Sequence, residues 1–90
     1  MITFEKFSIA PVKVRILYIK KLLNELGYNL EENFHEDKCY KKSLKEFQIK
    51  NNLIGNCVIT NDVFNLLLNK IPNANKIWKN MRWIKWKIAN

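Results

Sequence analysis

ILYIKKLLNELGY, residues 16–28, is the most strongly patterned segment of the chain. Four apolar residues recur in it at steps of three and four: Ile16, Ile19, Leu23 and Leu26. That spacing places them along one face of an α-helix, and the polar residues between them, Lys20 included, are expected to face water. Gly27 follows directly, where a helix ending in a left-handed turn favours a residue without a Cβ atom. The segment predicts a helix from about residue 12, after Pro11, to residue 26.

Two further helices are predicted downstream. Their apolar lines are Tyr40, Leu44 and Phe47 in the first and Val63, Phe64 and Leu67 in the second. Asp37 is expected to cap the first, which runs to about residue 50; the second begins at Thr60 or Asn61, and Pro72 ends it. We therefore expect an all-α body, a small three-helix bundle spanning residues 11–71. Its helices are expected to meet through Leu23, Leu26, Leu44, Phe47 and Phe64.

The two ends of the chain are expected to be additions to this body. Residues 1–10 contain Phe4 and Phe7 and are predicted to form a flap. Residues 72–90 form a basic, Trp-rich segment. One helical face of that segment carries Ile77, Met81, Ile84 and Ile88, which favours a helix. A strand over residues 84–88, with lysines on one face, is the alternative.

Positive charge gathers near the C-terminal end. The formal net charge is +8, and from residue 63 onward the chain has six basic residues and no acid. An anionic partner is expected for this end, such as teichoic acid, phospholipid head groups or nucleic acid. The predicted contact residues are Lys76, Trp78, Lys79, Arg82, Trp83, Lys85, Trp86 and Lys87. The tryptophans could enter a lipid interface or stack on bases. Alternatively, the segment docks as a fourth helix and Trp78 enlarges the core.

Sequence features argue against several other classes of protein. No apolar run approaches the roughly 20 residues of a transmembrane helix, and residues 1–10 lack the pattern of a signal peptide. The protein is therefore expected to be made in the cytoplasm and to reach a cell wall only by lysis or within a larger protein. Cys39 and Cys57 are expected to be reduced thiols, with a disulfide as the lesser alternative.

No residue set predicts catalysis or a cofactor. His35 and Cys39 are four residues apart and could share a metal with Cys57, but that spacing is common by chance, and an exposed loop histidine is the simpler reading. Acidic residues crowd the same loop without the regular spacing of a calcium site. A non-enzyme without metal or cofactor is therefore expected.

Residues 11–71 resemble the peptidoglycan-binding domain of bacterial and phage cell-wall hydrolases. Leu26-Gly27-Tyr28 stands where that family has Leu-Gly-Tyr, Phe34 where it has a loop phenylalanine, and Phe47-Gln48 where it has Phe-Gln. The sequence departs from the family at Lys20, where the family has glutamine, and at Tyr40 and Val63, where it has threonines. The resemblance implies a three-helix fold and non-catalytic binding of peptidoglycan or an associated anionic wall polymer.

By that resemblance, Tyr28, Phe34, Tyr40 and Gln48 would form a shallow site for a wall peptide or sugar. Core packing is the simpler role for Phe34 and Tyr40. Enrichment in Asn, Lys and Ile is typical of an AT-rich genome, such as that of a low-GC Gram-positive bacterium or its phage. The module could accompany a catalytic domain or partner protein. The alternative function is a small basic protein that binds a cytosolic nucleoprotein or nucleic acid, and membrane action by the C-terminal segment is a third possibility.

Overall fold

The computed structural model describes residues 1–81, which form five α-helices. They are α1 (Phe4–Ser8), α2 (Val12–Glu25), α3 (Lys38–Lys50), α4 (Asn61–Lys70) and α5 (Ala74–Asn80). No strand occurs in residues 1–81, so this part of the chain is all-α, as expected. The helix count is five because both ends, expected as additions, contribute helices to the packed body.

The predicted helix boundaries follow from capping. Asp37 Oδ1 accepts the backbone N–H of Tyr40 at 2.8 Å, and Thr60 Oγ1 accepts that of Val63 at 3.3 Å, so both caps are confirmed. At the end of α2, Gly27 has a φ of +102°, a left-handed conformation that favours glycine. The two side-chain caps thus satisfy backbone N–H groups that a helix start would otherwise leave unpaired.

Helix α2 is the central element. It packs against both α3 and α5, and its side chains are buried on more than the one face that the 16–28 pattern predicted. The five side chains expected to join the helices belong to one core: Leu23, Leu44, Phe47 and Phe64 are buried, and Leu26 is partly buried against them. Val14 and Tyr18, which that pattern omitted, are fully buried in the same core.

The N-terminal segment, expected as a flap, is a helix that belongs to the core. Thr3 caps α1 by accepting the N–H of Lys6 at 3.2 Å. Phe7 is 3% exposed, and its ring centroid lies 4.8 Å from that of Phe64 on α4. The backbone N–H of Ile2 donates to Asn75 Oδ1 at 2.8 Å, which joins the two ends of the body.

The C-terminal segment docks on α2 as far as it is described. Trp78 packs edge-on against Tyr18 with ring centroids 4.9 Å apart, and the Tyr18 hydroxyl donates to the Ala74 carbonyl at 2.9 Å. Met81 is 1% exposed. The docked-helix alternative is therefore confirmed for residues 74–80. The expected surface role of Trp78 is wrong, because its indole is 9% exposed and fills the gap between α2 and α5.

We predict that Trp78→Ala lowers the free energy of unfolding by about 3 kcal/mol, since it removes a large buried aromatic side chain. Urea denaturation followed by far-UV circular dichroism measures this loss. Lys79→Ala, at an exposed position of the same helix, is the matched control and should change stability by about 0.5 kcal/mol or less. Equal stability of both variants and the wild type would show that α5 does not contribute to the core.

Candidate functional site

A groove of about 320 Å³ lies where α1, α2, the start of α3 and residues 57–59 meet. Its walls are mainly apolar: Phe4, Phe7, Val12, Ile16, Ile19 and Ile59. Arg15, Glu36 and Tyr40 add polar groups to the same lining. A concave apolar surface with a few polar groups is the usual form of a ligand site.

Arg15 has an unusual environment in this groove. The side chain is half-buried, and its Nε atom is buried and makes no hydrogen bond within residues 1–81. A buried polar atom without a partner costs free energy, so such atoms call for an explanation. Glu36 lines the groove too, but no ion pair joins it to Arg15 in the described chain.

Tyr40 contributes a phenol to the groove lining. Its side chain is 4% exposed, and the Lys20 ammonium lies 5.8 Å from the ring centroid. Burial raises the pKa of the Tyr40 phenol; the negative charge of Glu36 raises it further and the charge of Arg15 lowers it. The hydroxyl therefore stays protonated at neutral pH. Both charged side chains are close enough to Tyr40 to act on it electrostatically.

A buried ammonium positions the loop beside the groove. Lys20 is fully buried, and its Nζ donates to Asn33 Oδ1 at 2.6 Å and to Asp37 Oδ2 at 2.9 Å. The expectation that Lys20 faces water is wrong, because the loop after α2 folds back over this side chain and supplies its partners. Asn24 fixes the same loop by bonding both the N–H and the carbonyl of Leu30.

Asp37 has a double role in this arrangement. One carboxylate oxygen caps α3 and the other pairs with Lys20. The Tyr40 backbone N–H, and secondly the Lys20 ammonium, hold the pKa of Asp37 below its usual value. The carboxylate is partly exposed, so the attraction is screened by solvent. The pair thus ties α2, the loop and α3 together next to Glu36.

Gln48 is a structural residue. It is fully buried, its Nε2 donates to the Val58 carbonyl at 3.0 Å, and its Oε1 accepts the Cys57 N–H at 2.9 Å. Cys57 has a φ of +60°, which is unfavourable for a side chain with a Cβ, and this bond helps to hold it there. The amide of Gln48 is thus engaged with residues 56–58, and Gln48 is not among the residues that line the groove.

The structure does not bring the four expected site residues together. Tyr40 lines the groove, whereas the side chain of Phe34 is 36% exposed and that of Tyr28 is half-buried, and neither lies among the groove residues. Of the expected anion-contacting residues, Lys76 and Lys79 are exposed on α5. Arg82, Trp83, Lys85, Trp86 and Lys87 lie outside the described residues.

Sequence reasoning missed Arg15 and Glu36. A signal for Arg15 was present, since it lies one turn before Ile19, at a spacing that puts both on one helical face. Glu36 gave no such signal, because its position depends on how the loop folds.

The possible metal ligands do not form a cluster within residues 1–81. His35 and Cys39 are exposed, and Cys39 and Cys57 are free thiols. The Cys57 Sγ lies 3.2 Å from the Lys41 carbonyl, to which the thiol donates. In residues 1–81, no three His, Cys, Asp or Glu side chains are placed to hold a metal ion together.

We predict that Asp37→Asn destabilises the protein at pH 7 and that the difference from wild type narrows as the pH falls. The folded-state pKa of Asp37 lies below its unfolded-state value. Its stabilising effect is therefore complete above about pH 4 and is lost as the pH falls through the lowered pKa. Asparagine retains the helix cap, so the change reports mainly on the charge.

Urea denaturation at about pH 7, 5 and 3 measures how the stability difference between Asp37→Asn and the wild type depends on pH. Glu31→Gln, an exposed carboxylate in the same loop, is the control and should differ little from wild type at any of them. A constant difference between Asp37→Asn and wild type across this range would contradict a contribution from the ionised carboxylate.

Comparison with protein-family models, with curated proteins and with solved structures finds no match for this chain. Within residues 1–81, none of the helices has both the length and the apolar character required to cross a membrane. We therefore infer the ligand from the side chains that line the groove.

Proposed function

We propose that this protein is a non-catalytic module that binds the peptide part of bacterial cell wall through the groove between α1 and α2. The observation that carries the proposal is Arg15, whose side chain lines a groove with mainly apolar walls and whose Nε atom is buried and makes no hydrogen bond within residues 1–81. A guanidinium is suited to a carboxylate, with which it can form paired, charge-assisted hydrogen bonds. The resemblance of residues 11–71 to peptidoglycan-binding domains supports a wall peptide as the source of that carboxylate.

The size and lining of the groove suit a short peptide segment. Its volume of about 320 Å³ lies at the lower end of the range for small-ligand sites. Aliphatic side chains of a ligand could pack on the exposed Val12 and on the half-buried Phe4 and Ile59, and the Phe4 ring offers an apolar face. A wall peptide, with methyl groups and carboxylates, matches both parts of this lining.

The groove residues favour binding over catalysis. Ser8 and Cys57 are nucleophilic side chains among them, but the Ser8 hydroxyl donates to the Glu5 carbonyl and the Cys57 thiol to the Lys41 carbonyl. His35 is not a groove residue. A catalytic cysteine needs a neighbouring base and an oxyanion site. We propose that the module acts as an attachment or targeting unit, at the wall after lysis or as part of a larger protein.

We predict that Arg15→Gln reduces retention on purified, teichoic-acid-stripped sacculi by roughly tenfold in affinity, because it removes a charged hydrogen-bond donor. A pull-down over a range of protein concentrations measures the affinity. Lys13→Gln removes the same charge from an exposed position of α2 and should bind as wild type does. Binding by groove contacts should survive about 0.5 M salt, which screens interactions between exposed charges.

Two outcomes would contradict the proposal. One is no retention of the wild type at physiological salt. The other is equal weakening by Arg15→Gln and Lys13→Gln, which would show that net charge rather than the groove carries binding. Circular dichroism and thermal unfolding establish that both variants are folded.

A second candidate function, binding of a nucleic acid or nucleoprotein, is favoured by the outer face of α3. Four exposed lysines lie on this face and make no ion pair within residues 1–81: Lys38, Lys41, Lys42 and Lys45. They span about 10 Å along the helix. Cationic side chains in such a row contact phosphates and give affinity without sequence specificity.

If that function holds, affinity for a 20-base-pair duplex, a probe about two helical turns long, should fall steeply with salt. Replacing Lys38, Lys42 and Lys45 with glutamine should then reduce the slope of log affinity against log salt by about 3. Fluorescence anisotropy over a KCl series measures the slope. Replacing Lys6, Lys13 and Lys70, exposed lysines elsewhere, is the control. Equal effects of the two triple variants would contradict a specific role of α3.

A further inference from the structure

Two opposite charges line the same groove without neutralising one another. Arg15 comes from α2, and Glu36 comes from the loop that precedes α3. Neither makes an ion pair within the described chain. Arg15 is half-buried and Glu36 is exposed, so both charges are accessible from the groove, and a ligand that fills the groove would displace water from both.

The separate placement of these charges restricts the ligand. A ligand that neutralises one of them would leave the other partly desolvated and unpaired, which costs free energy. An anionic phosphate would be attracted by Arg15 but repelled by Glu36. A neutral sugar would satisfy neither charge fully. A ligand with one negative and one positive group, joined by an aliphatic segment, complements the whole groove.

The backbone positions of Arg15 and Glu36 are set independently, so the fold determines where each side chain reaches the groove. Arg15 is held by the packing of α2, where Ile16 and Ile19 are buried. Glu36 precedes Asp37, whose carboxylate is fixed both by the α3 cap and by Lys20. A backbone that is fixed before binding reduces the entropy cost of binding.

We propose that the groove selects a short peptide that carries both a free terminal carboxylate and a free side-chain amine, the carboxylate bound by Arg15 and the ammonium by Glu36. In a cell wall, a peptide with both groups free is one that has not been cross-linked, since cross-linking consumes the amine. This inference rests on the proposed function, because it specifies which wall peptides the same groove would bind.

The test uses four synthetic peptides on the full chain. The parent is N-acetyl-L-Ala-γ-D-isoGln-L-Lys-D-Ala-D-Ala, which has a single carboxylate and a single amine. The others carry a C-terminal amide, an acetylated lysine amine, or both. Isothermal titration calorimetry should show the parent binding most tightly and each blocking group weakening binding roughly tenfold, as expected for loss of a charged hydrogen bond.

Variants assign each charge to its side chain. Glu36→Gln should abolish the discrimination against the acetylated amine and keep that against the amide, whereas Arg15→Gln should do the reverse. Glu31→Gln and Lys13→Gln, exposed on the neighbouring loop and on α2, should discriminate as the wild type does. Combining variants with blocked peptides, as in a double-mutant cycle, separates the two contacts. If a variant fails to fold, the affinities of the wild type for the four peptides still test the inference.

Equal affinities of the wild type for all four peptides would overturn the inference, as would no binding of the parent peptide. The proposed function would survive either result if sacculi were still retained in an Arg15-dependent manner. If the protein discriminated among the four peptides but did not bind sacculi, the inferred peptide specificity would stand. The proposed binding to cell wall would then be contradicted.

Discussion

The packing of both chain ends against Tyr18 is the constraint on which the fold depends. The Tyr18 ring lies 4.9 Å from that of Trp78 and 6.1 Å from that of Phe7, while its hydroxyl is bonded to the Ala74 carbonyl. Burial raises the pKa of this phenol, so it remains a neutral donor. A chain of 90 residues has a thin core, and α1 and α5 enlarge it with aromatic side chains. Both α1 and α5 are therefore part of the body, and α1 also forms one wall of the groove.

The buried ammonium of Lys20 links this fold to the candidate site. A fully buried lysine is tolerated because Asn33 and Asp37 accept hydrogen bonds from its ammonium group and the Tyr40 ring lies nearby. Those contacts fix the loop from residue 29 to residue 37 and so determine where Glu36 meets the groove. The position of Glu36 in the groove is thus set by the contacts of Lys20, which does not itself line the groove.

The sequence predicted those features that depend on local chemistry. The spacing of Ile16, Ile19 and Leu23, the caps Asp37 and Thr60, and the break at Gly27 give the three middle helices almost at their observed ends. The burial of Lys20 and Gln48 could not be predicted from local sequence, because each side chain is buried by a loop that folds back onto its helix. Tyr28, Phe34 and Gln48 were expected beside Tyr40 because of the resemblance, but of these four residues only Tyr40 lines the groove. The position of Trp78 was left open because an amphipathic helix can dock or remain exposed with the same pattern.

The groove lies partly outside the region that resembles peptidoglycan-binding domains. Phe4, Phe7 and Ser8 of α1 line it, and α1 precedes residue 11. A bundle made only of α2, α3 and α4 would lack this wall, and Arg15 would be more exposed to water, where a guanidinium needs no protein partner. Helix α1 therefore does two things: it buries Phe7 in the core, and it gives Arg15 the apolar surroundings that strengthen its attraction for a carboxylate. Ligand recognition in this chain would then follow from its own N-terminal helix, and the positions matched by the resemblance would serve mainly to build the core.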